Sequence, residues 1–160
     1  MNERRIVGKL PLELYRTAME NLPIMTVDVI FLNHDKTKIL LGRRTNEPYA
    51  GQFYSFGGRL YKNENFLDAA CRIGKQELDL SIPPDALLYA GVLNEINDSS
   101  IFEGVNYHAV DVYFVHMLSD EVVVLDSQHS EKRWFSVDDD DIHPNVRARI
   151  EGALKALKKV

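Results

Sequence analysis

With 160 residues, 45% hydrophobic and 27% charged, the chain is long enough for one domain, 1–160, with a sizeable core. A net charge of −5 excludes a general nucleic-acid surface, so any phosphate site must be local. No apolar run approaches membrane-spanning length, the N-terminus is polar without a signal-peptide core, and Cys71 is the lone cysteine, so the expectation is a cytoplasmic protein without disulfide, membrane or nucleic-acid partner.

The first element is an amphipathic helix over about 10–20, with Leu12, Leu14, Tyr15, Ala18 and Met19 on its apolar face and Pro11 in its first turn. Ile24 to Leu32 is rich in β-branched residues and predicts a strand. Asp28 interrupts it, and a carboxylate there is either solvated or paired in a site; the second reading is taken, with Arg44 as the expected companion. Asn33 to Thr37 has turn chemistry, so Ile39 to Leu41 returns as a hairpin partner. Arg43 and Arg44 follow it and point to opposite faces, one solvated and one entering a cleft.

Phe53 to Phe56 is a short aromatic strand, which Gly57-Gly58 is expected to break with a sharp turn. From Asn65 onward Phe66, Leu67, Ala70, Ile73, Gly74 and Leu78 fall at helical spacing, with Glu64 at the favoured N-terminal end. Cys71 on that helix reads as a small packed residue rather than a reactive thiol. Pro83-Pro84 ends the region, and Leu87 to Glu95 is a strand. Asn97 to Ser100 is a loop placed to cover a pocket. Tyr107 to Leu118 alternates as a long strand, Val110, Val112 and Phe114 on one face, Asp111, Tyr113 and Val115 on the other. Trp134-Phe135 is the last strand. Asp138 to Asp141 precede a helix over Pro144 to Lys159, where the acids are expected to complement its dipole.

The spacing around the glycines carries more information. Five residues separate Gly58 from Glu64, seven separate Glu64 from Arg72, and Glu77 and Leu80 follow. This resembles the Nudix box, G-x5-E-x7-R-E-U-x-E-E-x-G-U, whose family cleaves nucleoside diphosphates linked to another group with a divalent metal held on the helix. Ile73 and Gln76 replace two of the box's three helix carboxylates, and Asp79 replaces its glycine. Only Glu77 is left as an acid on that face, enough for one Mg²⁺ but not a cluster.

One branch of the family, the GDP-mannose mannosyl hydrolases, is similar in lacking those carboxylates. Gly42 to Pro48, Gln52 to Arg59, and Asp126-Ser127-Gln128-His129 followed by Arg133-Trp134 resemble its motifs in order. The resemblance implies an α+β fold, a Nudix-type α/β/α sandwich with a mixed sheet between helices. It implies a hydrolase of a nucleoside-diphosphate sugar, of GDP-mannose or GDP-glucose type, in which water attacks the sugar C1. Carried over residue by residue, it gives His129 as base, Asp28 and Arg44 as catalytic, and Arg44, Arg59 and Tyr15 as substrate-binding, with a core-facing tyrosine the competing reading for Tyr15. It gives the Gly58 carbonyl, Glu77 and Gln128 as ligands of Mg²⁺, or of Mn²⁺ in its place. It also implies a homodimer. The chain departs from the branch at Glu95 and Asp111, which stand where the branch has a histidine and a tyrosine near the sugar, so those two roles are not carried over. The competing functions are a phosphorus-attacking Nudix pyrophosphohydrolase and a non-catalytic nucleotide-sugar-binding domain.

Overall fold

A computed structural model describes residues 3–119 and 131–160. The elements run α1 (Leu12–Asn21), β1 (Ile24–Asn33), β2 (Lys38–Arg43), β3 (Phe53–Tyr54), β4 (Phe56–Arg59), α2 (Phe66–Leu78), a 3-10 turn (Pro84–Ala86), β5 (Leu88–Asn97), β6 (Tyr107–Leu118), β7 (Lys132–Ser136) and α3 (Pro144–Leu157). The strands form one mixed sheet in the order β3-β2-β1-β6-β5, with β4 on β1 and β7 on β2. β1 and β6 pair in parallel over ten residues, and the other pairs are antiparallel.

The period-two pattern of β6 explains the two layers. Val112 and Phe114 join Val27, Val29, Phe31 and Leu40 under Ala69, Ala70 and Ile73 of α2. Tyr113 and Val115 face the other way, with Ile30, Leu32 and Leu41, under Val146, Ile150 and Ala153 of α3. A smaller cluster of Met19, Ile24 and Val105 seats α1 at the end of the sheet, with Tyr15 and Phe102 against it. The expected α+β sandwich is thus observed.

β1 divides its outer edge between two partners. Its first half, Thr26 to Val29, pairs with β4, while Leu32 pairs with Ile39 of β2. The clefts described below open beside this division.

Helix α2 starts where Asn65 accepts a hydrogen bond from the Asp68 amide at 2.9 Å. It ends at Asp79, which adopts the left-handed conformation (φ 54°) that the box gives to glycine. The short aspartate side chain tolerates it.

Two local expectations are corrected. Gly57 and Gly58 do not make a turn: both lie in β4, opposite Asp28 and Val27. Glycine is required at 57 because a Cβ there would lie 1.8 Å from Asp28 Oδ1 and 2.8 Å from the Val27 carbonyl. The acids at 138–141 do not cap α3. His143 does, its Nδ1 accepting from the Asn145 amide at 3.1 Å, and the Asp139 carbonyl instead receives Arg147.

Candidate active site

The sheet register brings Thr26, Asp28, Gly57, Gly58 and Arg59 to one end of the sandwich. There they line a cleft of about 160 Å³ with Tyr15 of α1, Arg44 past the end of β2, and Tyr54. A second cleft of about 240 Å³ adjoins it, lined by Arg43, Arg44, Gly57, Glu77 and Lys132. Arg44 belongs to both and marks the border between them.

The floor of the first cleft is a buried ionic network that the sequence did not reveal. Arg149 of α3 is 1% exposed. Its Nε lies 2.9 Å from Asp111 Oδ2 and 3.7 Å from Asp28 Oδ2; its two amino groups donate to Glu95 and, at 3.0 Å, to the Tyr54 hydroxyl. Tyr54 donates in turn to Glu95 at 2.8 Å, Ser55 to Asp28 at 2.5 Å and Thr26 to Asp111 at 2.7 Å. Three buried carboxylates thus share one guanidinium. Burial first, then repulsion from Asp28, pushes the Asp111 carboxyl well above the usual carboxylate range against the pull of Arg149.

The expected companion of Asp28 is therefore corrected from Arg44 to Arg149 and Ser55. Glu95 and Asp111 are parts of the same network. One signal for Arg149 was in the sequence. It stands three residues after Val146 and four before Ala153, on the apolar stripe of α3, and a charge on a core-facing stripe calls for a buried partner.

Arg44 donates through Nε to the Pro48 carbonyl at 2.7 Å, which fixes its stem; among the described residues its amino groups have no hydrogen-bond acceptor, and they lie at both clefts. Arg43 turns away to Glu131 at 2.8 Å, over the Phe53 ring. Arg59 lines the cleft, but it already donates to the Gly8 and Leu60 carbonyls and lies over the rings of Tyr15 and Tyr61. Tyr15 packs edge-on against Phe102 and faces the same cleft, so it is both a packing residue and a lining one.

The α2 face expected to carry the metal is split among three environments. Ile73 is 2% exposed and belongs to the core. Gln76 accepts from Arg72 at 3.2 Å, while Arg72 forks onto Glu64 at 2.7 and 3.0 Å. Glu77 lines the second cleft, and no described residue donates a hydrogen bond to its carboxylate. The residue is exposed by area, yet crowding at the cleft raises its carboxyl above the ordinary range, against Lys132 and Arg44, with Asp28 adding to the rise. Gly58 lines the adjoining cleft. Gln128 and His129 lie outside the described residues. Among the described residues no three acidic, histidine or cysteine side chains gather as a metal site. The donors present are hard oxygens, and Glu77 is not committed elsewhere among the described residues. In donor type they suit one hard cation rather than a metal cluster, but Gly58 and Glu77 line separate clefts, so the described residues do not gather the expected ligand set.

The NUDIX domain profile matches residues 22–154. The chain belongs to the NUDIX family. Family membership supports a hydrolase, and NUDIX hydrolases generally use divalent metals. The chain is 29% identical over 144 residues to the low-salt glycan biosynthesis protein Agl8 of Haloferax volcanii, covering 89% of this chain and 90% of that protein. Its NUDIX fold is shared with the MutT NUDIX hydrolase of Burkholderia pseudomallei, at TM-score 0.65 and 23% identity, over 82% of this chain and 98% of that one. It is shared too with the NUDIX domain of Shewanella oneidensis NrtR complexed with ADP ribose, at TM-score 0.62 and 21% identity, over 86% and 90% of the two chains. Against the longer NrtR chain, TM-score 0.66 and 19% identity, the match covers 85% of this chain but only 64% of that one. No helix among the described residues is long and apolar enough to cross a membrane.

Proposed function

We propose that this NUDIX protein hydrolyses a nucleoside-diphosphate sugar of GDP-mannose or GDP-glucose type, at the bond between the sugar C1 and the β-phosphate oxygen. The observation that carries this reading is the polarity of the paired clefts. Asp28 and Glu95 line the cleft on one side of Arg44, with Asp111 buried behind them, and a cleft lined by Arg43, Arg44 and Lys132 lies on the other. Such a site suits a ligand with hydroxyl donors at one end and a diphosphate at the other. The glycan-biosynthesis name of the 29% relative agrees with a sugar nucleotide.

In this reaction water adds to C1, the C1–O bond breaks, and its electron pair leaves with the nucleoside diphosphate. His129 takes the proton from water, as a base with a pKa near neutrality. Arg44 holds the departing phosphate oxygens with its amino groups, and Arg59 and Tyr15 line the ligand's path. Asp28, fixed by Ser55 and Arg149, opposes the positive charge that develops at C1. Mg²⁺ or Mn²⁺ held by the Gly58 carbonyl, Glu77 and Gln128 would supply charge neutralisation for the diphosphate. Attack at carbon leaves no hydroxide to be generated against phosphorus, so one helix carboxylate suffices. The protein acts as a cytoplasmic homodimer in this reading, which sedimentation velocity tests.

Hydrolysis in ¹⁸O-water is the decisive experiment. Label in the free sugar is expected; label in the nucleotide phosphate would establish phosphorus attack. Binding without product would mark a non-catalytic domain. His129→Ala should lower turnover by about two to four orders of magnitude; a near-normal rate would remove it as the base.

A further inference from the structure

Nothing in its sequence context marks Lys132, yet the sheet places it beside Gly42 of β2, two residues before Arg44 in the chain. Cross-strand partners point to the same face, and on this pair of strands Leu40 and Trp134, two residues earlier and later, face α2. Lys132 therefore projects towards α2, where its Nζ donates to the Glu77 carbonyl at 2.5 Å. Gly42 makes room for the Phe56 ring, which a Cβ there would meet at 2.8 Å. Gly42, Phe56, Lys132 and Arg44 together line the second cleft.

Charge decides what this cleft takes. Among the described residues the Lys132 ammonium and the Glu77 carboxylate cancel, and Arg44 leaves a surplus positive charge, Arg43 being engaged by Glu131. An ammonium has three donors, of which the Glu77 carbonyl uses one. Among the described residues two remain for a ligand in the cleft that Lys132 shares with Arg44.

We infer that Lys132 is a phosphate-binding residue, which with Arg44 forms an anion subsite that grips a nucleoside diphosphate directly, without requiring a bridging divalent ion. This deepens the sugar-nucleotide reading and rests on it for the identity of the ligand. Lys132 takes over part of the charge neutralisation that the reduced α2 face, with its single acid Glu77, leaves to a metal.

The test is calorimetric titration of GDP and ADP into the wild-type protein and its Lys132→Met, Lys132→Gln and Lys132→Arg variants, in EDTA and then in Mg²⁺. Wild type is expected to bind in EDTA. Loss of a charge-assisted contact should weaken this roughly ten- to a hundredfold in the Met and Gln variants, with Arg retaining most of the affinity. Gln keeps a donor for the Glu77 carbonyl, so weakening in Gln with rescue by Arg reads out charge rather than a broken tie to α2. No binding by wild type in EDTA, or unchanged affinity in the Gln variant, would overturn the inference. Lys132-dependent binding without release of free sugar would leave the subsite standing and remove sugar hydrolysis; sugar release with Lys132-independent binding would do the reverse.

Discussion

Gly57 is the residue on which the first cleft's floor depends most directly. Its missing Cβ admits Asp28, and Asp28 then meets Ser55 and Arg149. Gly57→Ala should push the aspartate out and cost about 1–3 kcal/mol or more of stability, as overpacking does. Urea denaturation checks the cost, and turnover should fall with it; an alanine variant of wild-type stability would show that the contact is slack. Asp111 offers a pH test. Its folded pKa lies above its unfolded value, so the stability it contributes is fully present below the unfolded aspartate pKa, about 3.9, and is lost as pH rises through the folded value. Asp111→Asn removes that loss, because the amide mimics the protonated acid. Its stability relative to wild type should therefore climb as pH rises above about 4, measured by denaturation across a pH series. A constant difference would mean that Arg149 holds Asp111 ionised throughout.

At the level of elements, the loop before α2 and the helix itself are joined by the fork of Arg72 on Glu64, reinforced by Arg72 donating to the Arg59 carbonyl at 3.0 Å. Burial opposes the charge on Glu64, but Arg72 and the Tyr61 amide outweigh it and hold the carboxyl below the usual range. The stability from Glu64 is accordingly present above its unfolded pKa and is lost as pH falls through the folded value. Arg72→Met should cost about 2–3 kcal/mol, less than breaking a fully buried pair, because the arginine is partly exposed. Hydrogen exchange in the first turn of α2 should accelerate, a change that a purely catalytic arginine would not produce. The box arginine and glutamate thus brace the Gly58–Glu64 stretch.

For the whole molecule, one sheet is shared by two apolar layers, so the chain should unfold as one unit. Trp134 is the only tryptophan and packs against the α2 layer, whereas far-ultraviolet dichroism reports the helices on both faces. The two signals should give coincident urea transitions; separated midpoints would divide the domain. The layers were legible in the sequence because periodicity is local: the alternation of 107–118 assigned both faces of β6 as observed. The box spacing likewise located the loop–helix unit. What stayed hidden depends on contacts across the sheet. The need for glycine at 57 comes from a side chain 29 positions earlier, and the partner of Asp28 sits on α3, far along the chain. Lys132 gains meaning only from its register against Gly42.

Arg149 follows in the chain every acid that it neutralises. During synthesis Asp28, Glu95 and Asp111 leave the ribosome before their counter-ion exists, so the interior of the sandwich cannot close around them early. A nascent polypeptide stopped before α3 would carry uncompensated anions into a half-formed core and remain a target for proteases and chaperones. Helix α3 thereby closes a charge balance that the segments before it leave open.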